Sequence, residues 1–245
     1  MDPHKLPDKL IKGSVSVWIA DLSSWRGHIS DLKTLLSPGE IKRLNRLKIE
    51  GKQVEFICSR GLLRMILSHY TGLEPKKIII DTTPPGKPYL QGSGLEFSVS
   101  HSRDIFGFGF SSGSPIGLDI QEMYEISNPE RIIENFFHPA EIDHLKSIAD
   151  ENRYREHFFA IWTAKEAYLK AIGDGIRESF TLLSILPETE SLQTFNLHLP
   201  DRDQNEREWT ITSLSIAQGY RAALAHNGEM PDINQIILNP GDLPF

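Results

Sequence analysis

The stretch 153–172 reads as one long helix, and no other part of the chain constrains the fold as strongly. Phe158, Ile161, Trp162, Leu169 and Ile172 recur at helical spacing, so one face of it is core. Lys165 falls seven residues after Phe158, on that apolar stripe, while Glu166 and Lys170 are four apart and share a neighbouring face. Gly173 and Gly175 then end the helix, as glycine does at a C-cap. A lysine on the core side costs free energy unless its ammonium snorkels or finds a partner. Read alone, these charges are a snorkelling lysine and a surface pair worth roughly 0.3–0.5 kcal/mol. The remainder of the chain decides whether they are more than that.

Earlier elements are legible from alternation and from caps. Residues 15–20 alternate Val15, Val17 and Ile19 against Ser16, Trp18 and Ala20, a first strand. Ser37-Pro38-Gly39-Glu40 starts a short basic helix, with Ser37 as N-cap, and a second helix runs over about 52–70 to Thr71-Gly72. Residues 77–81 read as a short strand, and Thr83 to Tyr89 as a turn cluster around Gly86-Lys87-Pro88. Residues 95–101 alternate again. Phe106, Phe108 and Phe110 alternate with Gly107 and Gly109, which gives a strand with one aromatic face and one bare face that something approaches closely.

After the small polar linker 111–114, Ile116, Leu118 and Ile120 alternate with Gly117, Asp119 and Gln121, so one strand face is core and the other carries a carboxylate beside an amide. Phe136-Phe-His-Pro-Ala-Glu141 is a second helix start. Residues 180–185, 194–199, 209–216 and 220–225 read as strands, and the proline-bearing end from Gly228 as a surface tail. Both halves thus run strand, short helix, long helix, strands. We expect an α+β fold of two similar halves, 1–112 and 113–229, with 230–245 as the tail.

Composition narrows the function. The chain has 245 residues and a formal net charge of −7, which argues against a general nucleic-acid binder. Its single cysteine, Cys58, excludes a disulfide or a thiolate metal cluster and fits a reducing cytoplasm. No run approaches the ~18 apolar residues of a membrane span, and the polar first 13 residues have no apolar signal core. Between Ser37 and Arg64, seven basic residues (Lys42, Arg43, Arg46, Lys48, Lys52, Arg60, Arg64) face three acidic ones. That local reversal of sign reads either as a solvated helical face or as a docking surface for a few phosphates.

Four clusters carry the chemistry: Gly86-Lys87-Pro88, Ser98-Val-Ser-His-Ser102, Gly117-Leu-Asp119, and Trp162…Lys165-Glu166…Lys170. Singly, His101 reads as a hydrogen-bonded strand histidine, Asp119 as a cap and Lys87 as a turn lysine. Together they supply carboxylates for a hard cation, cations for phosphates, and a histidine that donates to phosphate oxygen.

In this order and spacing the motifs resemble the 4′-phosphopantetheinyl transferases, in particular the large, double-length type that activates peptide synthetases. The resemblance runs over about residues 10–226 and includes Arg60-Gly-Leu-Leu-Arg64. It implies two pseudo-symmetric α+β halves, each with a small, mostly antiparallel sheet and a long helix, and the active site between them. The implied reaction moves the phosphopantetheine arm of coenzyme A to a serine of an apo acyl, polyketide or peptidyl carrier protein. The other product is adenosine 3′,5′-bisphosphate, and Mg²⁺ is required. By the same resemblance Asp119 and Glu166 ligate the metal, and Glu166 or a metal-bound water takes the serine proton. Lys165 and Lys170 stabilise phosphate charge. Lys87, Pro88, Ser100 and His101 hold the adenosine end and its phosphates. Arg60, then Arg43 and Arg64, are candidates for the 3′-phosphate.

Two positions depart from the family's pattern. Gln121 stands where many members have a second acid; it shares Asp119's strand face, so its carbonyl can face the metal without adding charge. Ser98 stands where members often have asparagine. Met123, Tyr124, Phe136 and Phe137 are a candidate carrier-contact patch, with core packing the expected fate of the two phenylalanines. A doubled chain can build its site internally, so we expect a monomer. A non-catalytic coenzyme A or carrier-binding module and a metal-dependent pyrophosphate hydrolase are the alternatives.

Overall fold

The computed structural model describes residues 10–84, 86–173, 179–199 and 209–244; Gly175, expected to help end the long helix, lies outside them. In chain order come β1 (Ser14–Asp21), α1 (Leu22–Trp25), α2 (Ile29–Thr34), α3 (Pro38–Leu44) and the long α4 (Glu50–Thr71). A small hairpin of β2 (Asp81–Thr82) and β3 (Pro88–Tyr89) leads to β4 (Leu95–Ser102), β5 (Ile105–Ser112) and β6 (Ile116–Glu122). Then follow α5 (Pro129–Phe136), α6 (Pro139–Lys146), the long α7 (Glu151–Ile172), α8 (Ser179–Leu182), β7 (Ser184–Pro187), β8 (Thr194–His198), β9 (Trp209–Leu214), β10 (Tyr220–Asn227) and β11 (Asp232–Ile237).

These strands form two principal sheets, ordered β11-β1-β5-β4 and β6-β10-β9-β8-β7. Among the described residues every strand pairing is antiparallel except that of β1 with β11. Each sheet carries one 22-residue helix, α4 or α7, which makes the two halves alike in plan. The N-terminal core forms where Phe97, Phe106, Phe108, Phe110 and Trp18 meet Leu62, Leu63 and Ile66 of α4. Cys58 is buried there, and burial pushes its thiol up to about 12, so it is an inert packing residue. In the second half, Ala160, Ala164, Ala167 and Ala171 of α7 lie on Ala223, Ala225 and Ile211. Small residues there bring helix and sheet close.

The bare face of β5 is where the halves meet. A Cβ on Gly107 would sit 2.4 Å from Cδ1 of Ile120, and one on Gly109 would sit 3.3 Å from Cδ1 of Ile116. Side chains of β6 therefore occupy the space the glycines leave. Beside this contact runs a seam of hydroxyls. Ser98 Oγ accepts from the Leu118 amide (2.9 Å), Ser100 Oγ from that of Ile120 (3.1 Å) and Ser102 Oγ from that of Glu122 (2.9 Å). The outer edge of β6 is satisfied by side chains of β4 rather than by a strand backbone. Ser98, the departure from asparagine, is the first rung.

Three expectations are corrected. The end of the chain is no surface tail: β11 adds a parallel strand to the N-terminal sheet, and Leu238 and Leu243 are buried in that half's core. Proline did not prevent this, because Pro231 and Pro240 flank the strand rather than interrupt it. Residues 77–81 form a strand only from Asp81, since Pro75 starts a short 3-10 turn through Lys77. In 180–185, α8 precedes β7, so the apolar run divides between helix and strand.

Candidate active site

Asp119 stands at the centre of a polar cluster on the face of β6 turned to α7. Gly117, two residues earlier on that face, permits it: a Cβ there would lie 1.9 Å from the Ala167 carbonyl oxygen, so the helix backbone rests directly on the strand. This contact sets Lys170 over Asp119. Lys170 Nζ donates to Asp119 Oδ1 (2.7 Å), Ser100 Oγ (3.0 Å) and the Leu118 carbonyl (3.2 Å). Ser100 Oγ donates to Asp119 Oδ1 at 2.9 Å. With its amide partner on β6, this hydroxyl uses its one donor and both lone pairs. Gln121 Nε2 donates to Asp119 Oδ2 at 3.1 Å. The carboxylate, 2% exposed, is therefore held on both oxygens. Glu166, one turn before Lys170 on α7, is half-buried.

Gln121 thus meets Asp119 through its amide nitrogen, not by presenting its carbonyl alongside. Among the described residues no three of His, Cys, Asp and Glu share a possible metal position; the carboxylates on the facing sides of β6 and α7 are Asp119 and Glu166, with Gln121 beside Asp119.

His101 lies on the other face of β4, toward α4. Its ring stacks on Phe106 (centroids 5.2 Å apart, 8° between planes), and Nε2 is 2.5 Å from Glu55 Oε1. Lys52 Nζ donates to Glu55 Oε2 at 2.7 Å. Because β4 is an edge strand, Ser100 and His101 straddle the rim between the halves.

The other expected site residues divide. Arg60 is half-buried on α4, and Arg43 places its guanidinium 5.5 Å from the Phe56 ring centroid. Arg64 is a structural staple: it is buried, its Nε donates to Glu40 at 2.5 Å, and Nη1 donates to the carbonyls of Pro75 (2.5 Å) and Ile78 (3.0 Å). Buried, with Nε and Nη1 engaged inside the N-terminal half, it is placed as a structural residue. Lys87 Nζ donates to the Ala171 carbonyl (2.7 Å) at the C-terminal end of α7 and lies 3.5 Å from Glu96. Burial pulls its ammonium below the usual lysine range, against the opposing charge of Glu96. In this arrangement it caps a helix of the opposite half. Pro88 opens β3 and pairs with Thr82.

Lys165, expected to face phosphate, lies in the interior instead. It is fully buried, and its Nζ donates to Glu141 Oε2 (2.6 Å) and the Leu183 carbonyl (3.1 Å), between the rings of Phe137 and Phe180. Glu141 also accepts from the amides of His138 (2.8 Å) and Ile185 (2.7 Å). Burial pushes the Glu141 carboxyl up and the Lys165 ammonium down, each opposed by the other's charge. The pair ties α6, α7 and β7 together, and full burial keeps the Lys165 ammonium inside the C-terminal half. Glu141 was visible as a first-turn acid, but its partner stands 24 residues away and no local pattern links them. Glu55 went unnoticed for the same reason: its histidine is 46 residues distant.

Of the expected carrier-contact patch, Tyr124 is exposed, Met123 and Phe136 are half-buried, and Phe137 is core.

Comparison with known proteins bears on both halves of the chain. A sequence model of the 4′-phosphopantetheinyl transferase superfamily matches residues 115–225, and one of the 4′-phosphopantetheinyl transferase N-terminal region matches 18–108. The 4′-phosphopantetheinyl transferase HetI of Nostoc sp. is 33% identical over 89% of this chain and 90% of its own. A 4′-phosphopantetheinyl transferase of Bacillus pumilus is 32% identical over 81% and 82%. Among solved structures, the Bacillus anthracis holo-(acyl-carrier-protein) synthase, in complex with CoA (3′,5′-ADP), is 22% identical, covers 47% of this chain and 96% of its own, and has a TM-score of 0.38. With two regional models spanning both halves and relatives matched nearly end to end, this chain belongs to the 4′-phosphopantetheinyl transferase superfamily.

Proposed function

We propose that the protein transfers the 4′-phosphopantetheine arm of coenzyme A to a serine of an apo carrier protein and releases adenosine 3′,5′-bisphosphate. The observation that carries this reading is Lys170 held on Asp119 and Ser100 across the seam, with Glu166 one turn away. In the transfer, the serine oxygen bonds to the phosphorus nearer the pantetheine arm, and the bond from that phosphorus to the bridging oxygen breaks. The serine proton goes to Glu166 or to water. Lys170 supplies the fixed positive charge that the leaving phosphate develops against. His101, with Arg60 on α4 and Arg43 on α3 behind it, would face the phosphates of the adenosine end, since cations and N–H donors bind phosphate oxygens strongly.

The donor set fits Mg²⁺, which takes one or two carboxylates and completes its shell with phosphates and water. Asp119 and Glu166 would hold it, with Gln121 oriented by Asp119. When bound, it neutralises pyrophosphate charge. We assign Lys165 a structural role, on its burial against Glu141. The substrates are coenzyme A and a carrier protein, and we place the enzyme in the cytoplasm as a monomer.

The test is a mass measurement. The protein is incubated with coenzyme A, Mg²⁺ and an apo carrier protein, and the carrier is weighed. A gain of one phosphopantetheine is the expected result. Breakdown of coenzyme A without carrier modification would mean hydrolysis instead, and binding without either reaction would mean a non-catalytic module.

A further inference from the structure

We infer that Glu55 is a positioning residue for substrate phosphate: its carboxylate fixes the ring of His101 so that Nε2 is committed to the protein and Nδ1 is the donor left for the ligand. The inference rests on the reading of His101 as a phosphate contact and adds the residue that aims it. Three observations carry it. The Nε2–Oε1 separation of 2.5 Å is short even for a charge-assisted bond, so this edge of the ring is engaged. The ring is clamped flat against Phe106 at 8°, which leaves rotation about the ring plane's own axis as the freedom Glu55 removes. Both carboxylate oxygens are covered, Oε1 by His101 and Oε2 by Lys52. An acid beside a phosphate site repels its ligand unless cations cover it, and here they do.

Burial raises the Glu55 carboxyl, but hydrogen bonds and charge from Lys52 and His101 outweigh it and hold the group below its usual range. It is thus an acceptor at neutral pH. In the imidazolium form both ring nitrogens donate, Nε2 to Glu55 and Nδ1 to a ligand phosphate, so the two partners act through one ring. Glu55 also belongs to α4, so it links that helix to the rim of the seam.

The experiment is a double-variant cycle on the whole enzyme, with Glu55→Ala, Glu55→Gln and His101→Ala read by KM for coenzyme A, kcat and binding of adenosine 3′,5′-bisphosphate. His101→Ala should raise KM about tenfold, the loss of one charge-assisted hydrogen bond. Glu55→Ala should raise it about threefold to tenfold with kcat nearly unchanged, and the double variant should be no worse than His101→Ala alone. Nitrogen-15 spectra of the His101 ring should show Nε2 protonated in the parent, largely so in Glu55→Gln, and a mixture of ring states in Glu55→Ala. Unchanged KM in Glu55→Ala, tighter nucleotide binding, or effects that multiply in the double variant would overturn the inference while leaving His101 as a ligand. Unchanged KM in His101→Ala would overturn both. Should Glu55→Ala fail to fold, the Glu55→Gln ring spectra decide: a ring state identical to that of free histidine refutes the placement.

Discussion

Lys170 and Asp119 form an ion pair across the seam, 2.7 Å from Nζ to Oδ1, with the carboxylate buried and the lysine stem one-third exposed. The ammonium occupies a place on Asp119 that a metal cation would also seek, and it shares Ser100 with that carboxylate. Two effects of Lys170→Ala therefore oppose one another. Removing the competitor should lower the Mg²⁺ concentration for half-maximal activity, while removing charge from the leaving phosphate should lower kcat by about 10²–10³-fold. Metal titration of the variant checks both. A kcat within threefold of the parent would remove Lys170 from the chemistry.

Lys165, five residues earlier on the same helix, should behave in the opposite way. Taking away one partner of a fully buried pair leaves an uncompensated charge, at a cost of about 3–5 kcal/mol. Lys165→Met and Glu141→Leu should each lower Tm by on the order of 10 °C. The double variant, with both polar groups replaced by apolar ones, should recover much of that loss and retain transfer activity. Thermal melts and the carrier mass assay test this. Loss of activity with an undisturbed melt in Lys165→Met would return Lys165 to the site.

The contrast between these lysines marks what a sequence can disclose. Periodicity placed both on one long helix and Lys165 on its apolar stripe, and the structure keeps that assignment. Which lysine meets substrate depends on what lies opposite, and Glu141 and Asp119 are 24 and 51 residues away. The bare face of Gly107 and Gly109 was legible as a close approach because glycine has no side chain, but its visitor, Ile120, was not. The partners of Arg64 and Lys87 were hidden in the same way: a basic residue in a helix or turn does not disclose carbonyl partners at Pro75, Ile78 or Ala171. Alternation found the strands on which one face is buried. It missed β11, whose residues are mostly exposed because it is an edge strand held chiefly by its backbone.

That strand supplies a stability prediction. The Leu238 amide donates to the Ile19 carbonyl (2.8 Å), Trp25 Nε1 donates to the Leu238 carbonyl (3.2 Å), and Leu238 and Leu243 fill the N-terminal core. Ending the chain after residue 230 removes two buried leucines, about 1.5–3 kcal/mol each, and bares the edge of β1. The truncated protein should melt on the order of 10 °C lower or aggregate. Leu238→Ala with Leu243→Ala in the full chain should reproduce most of the loss without exposing the edge. A truncation that melts with the parent would show that β11 adds nothing to stability.

Gln121 offers the sharpest test of the metal reading. Its side chain shares the face of Asp119, and its register partner on β10 is Arg221. Arg221 Nη2 lies 3.2 Å from Glu156, while its Nε is buried without a hydrogen-bond partner among the described residues. In Gln121→Glu, the new carboxylate adds a charged oxygen ligand beside Asp119 and gives up the amide donation that now holds Asp119 Oδ2. Two acids side by side repel, but Arg221 is placed to offset part of that cost, so the fold should survive. The half-maximal Mg²⁺ concentration should fall by roughly threefold to tenfold, because affinity for a hard cation rises with the number of charged oxygens. Arg221 competes for the same carboxylate, so adding Arg221→Met should lower the Mg²⁺ requirement further and reduce Tm by a few degrees. Titration of transfer activity with Mg²⁺ at fixed coenzyme A measures both steps. A Gln121→Glu enzyme with the parent's Mg²⁺ dependence would place the metal away from this strand.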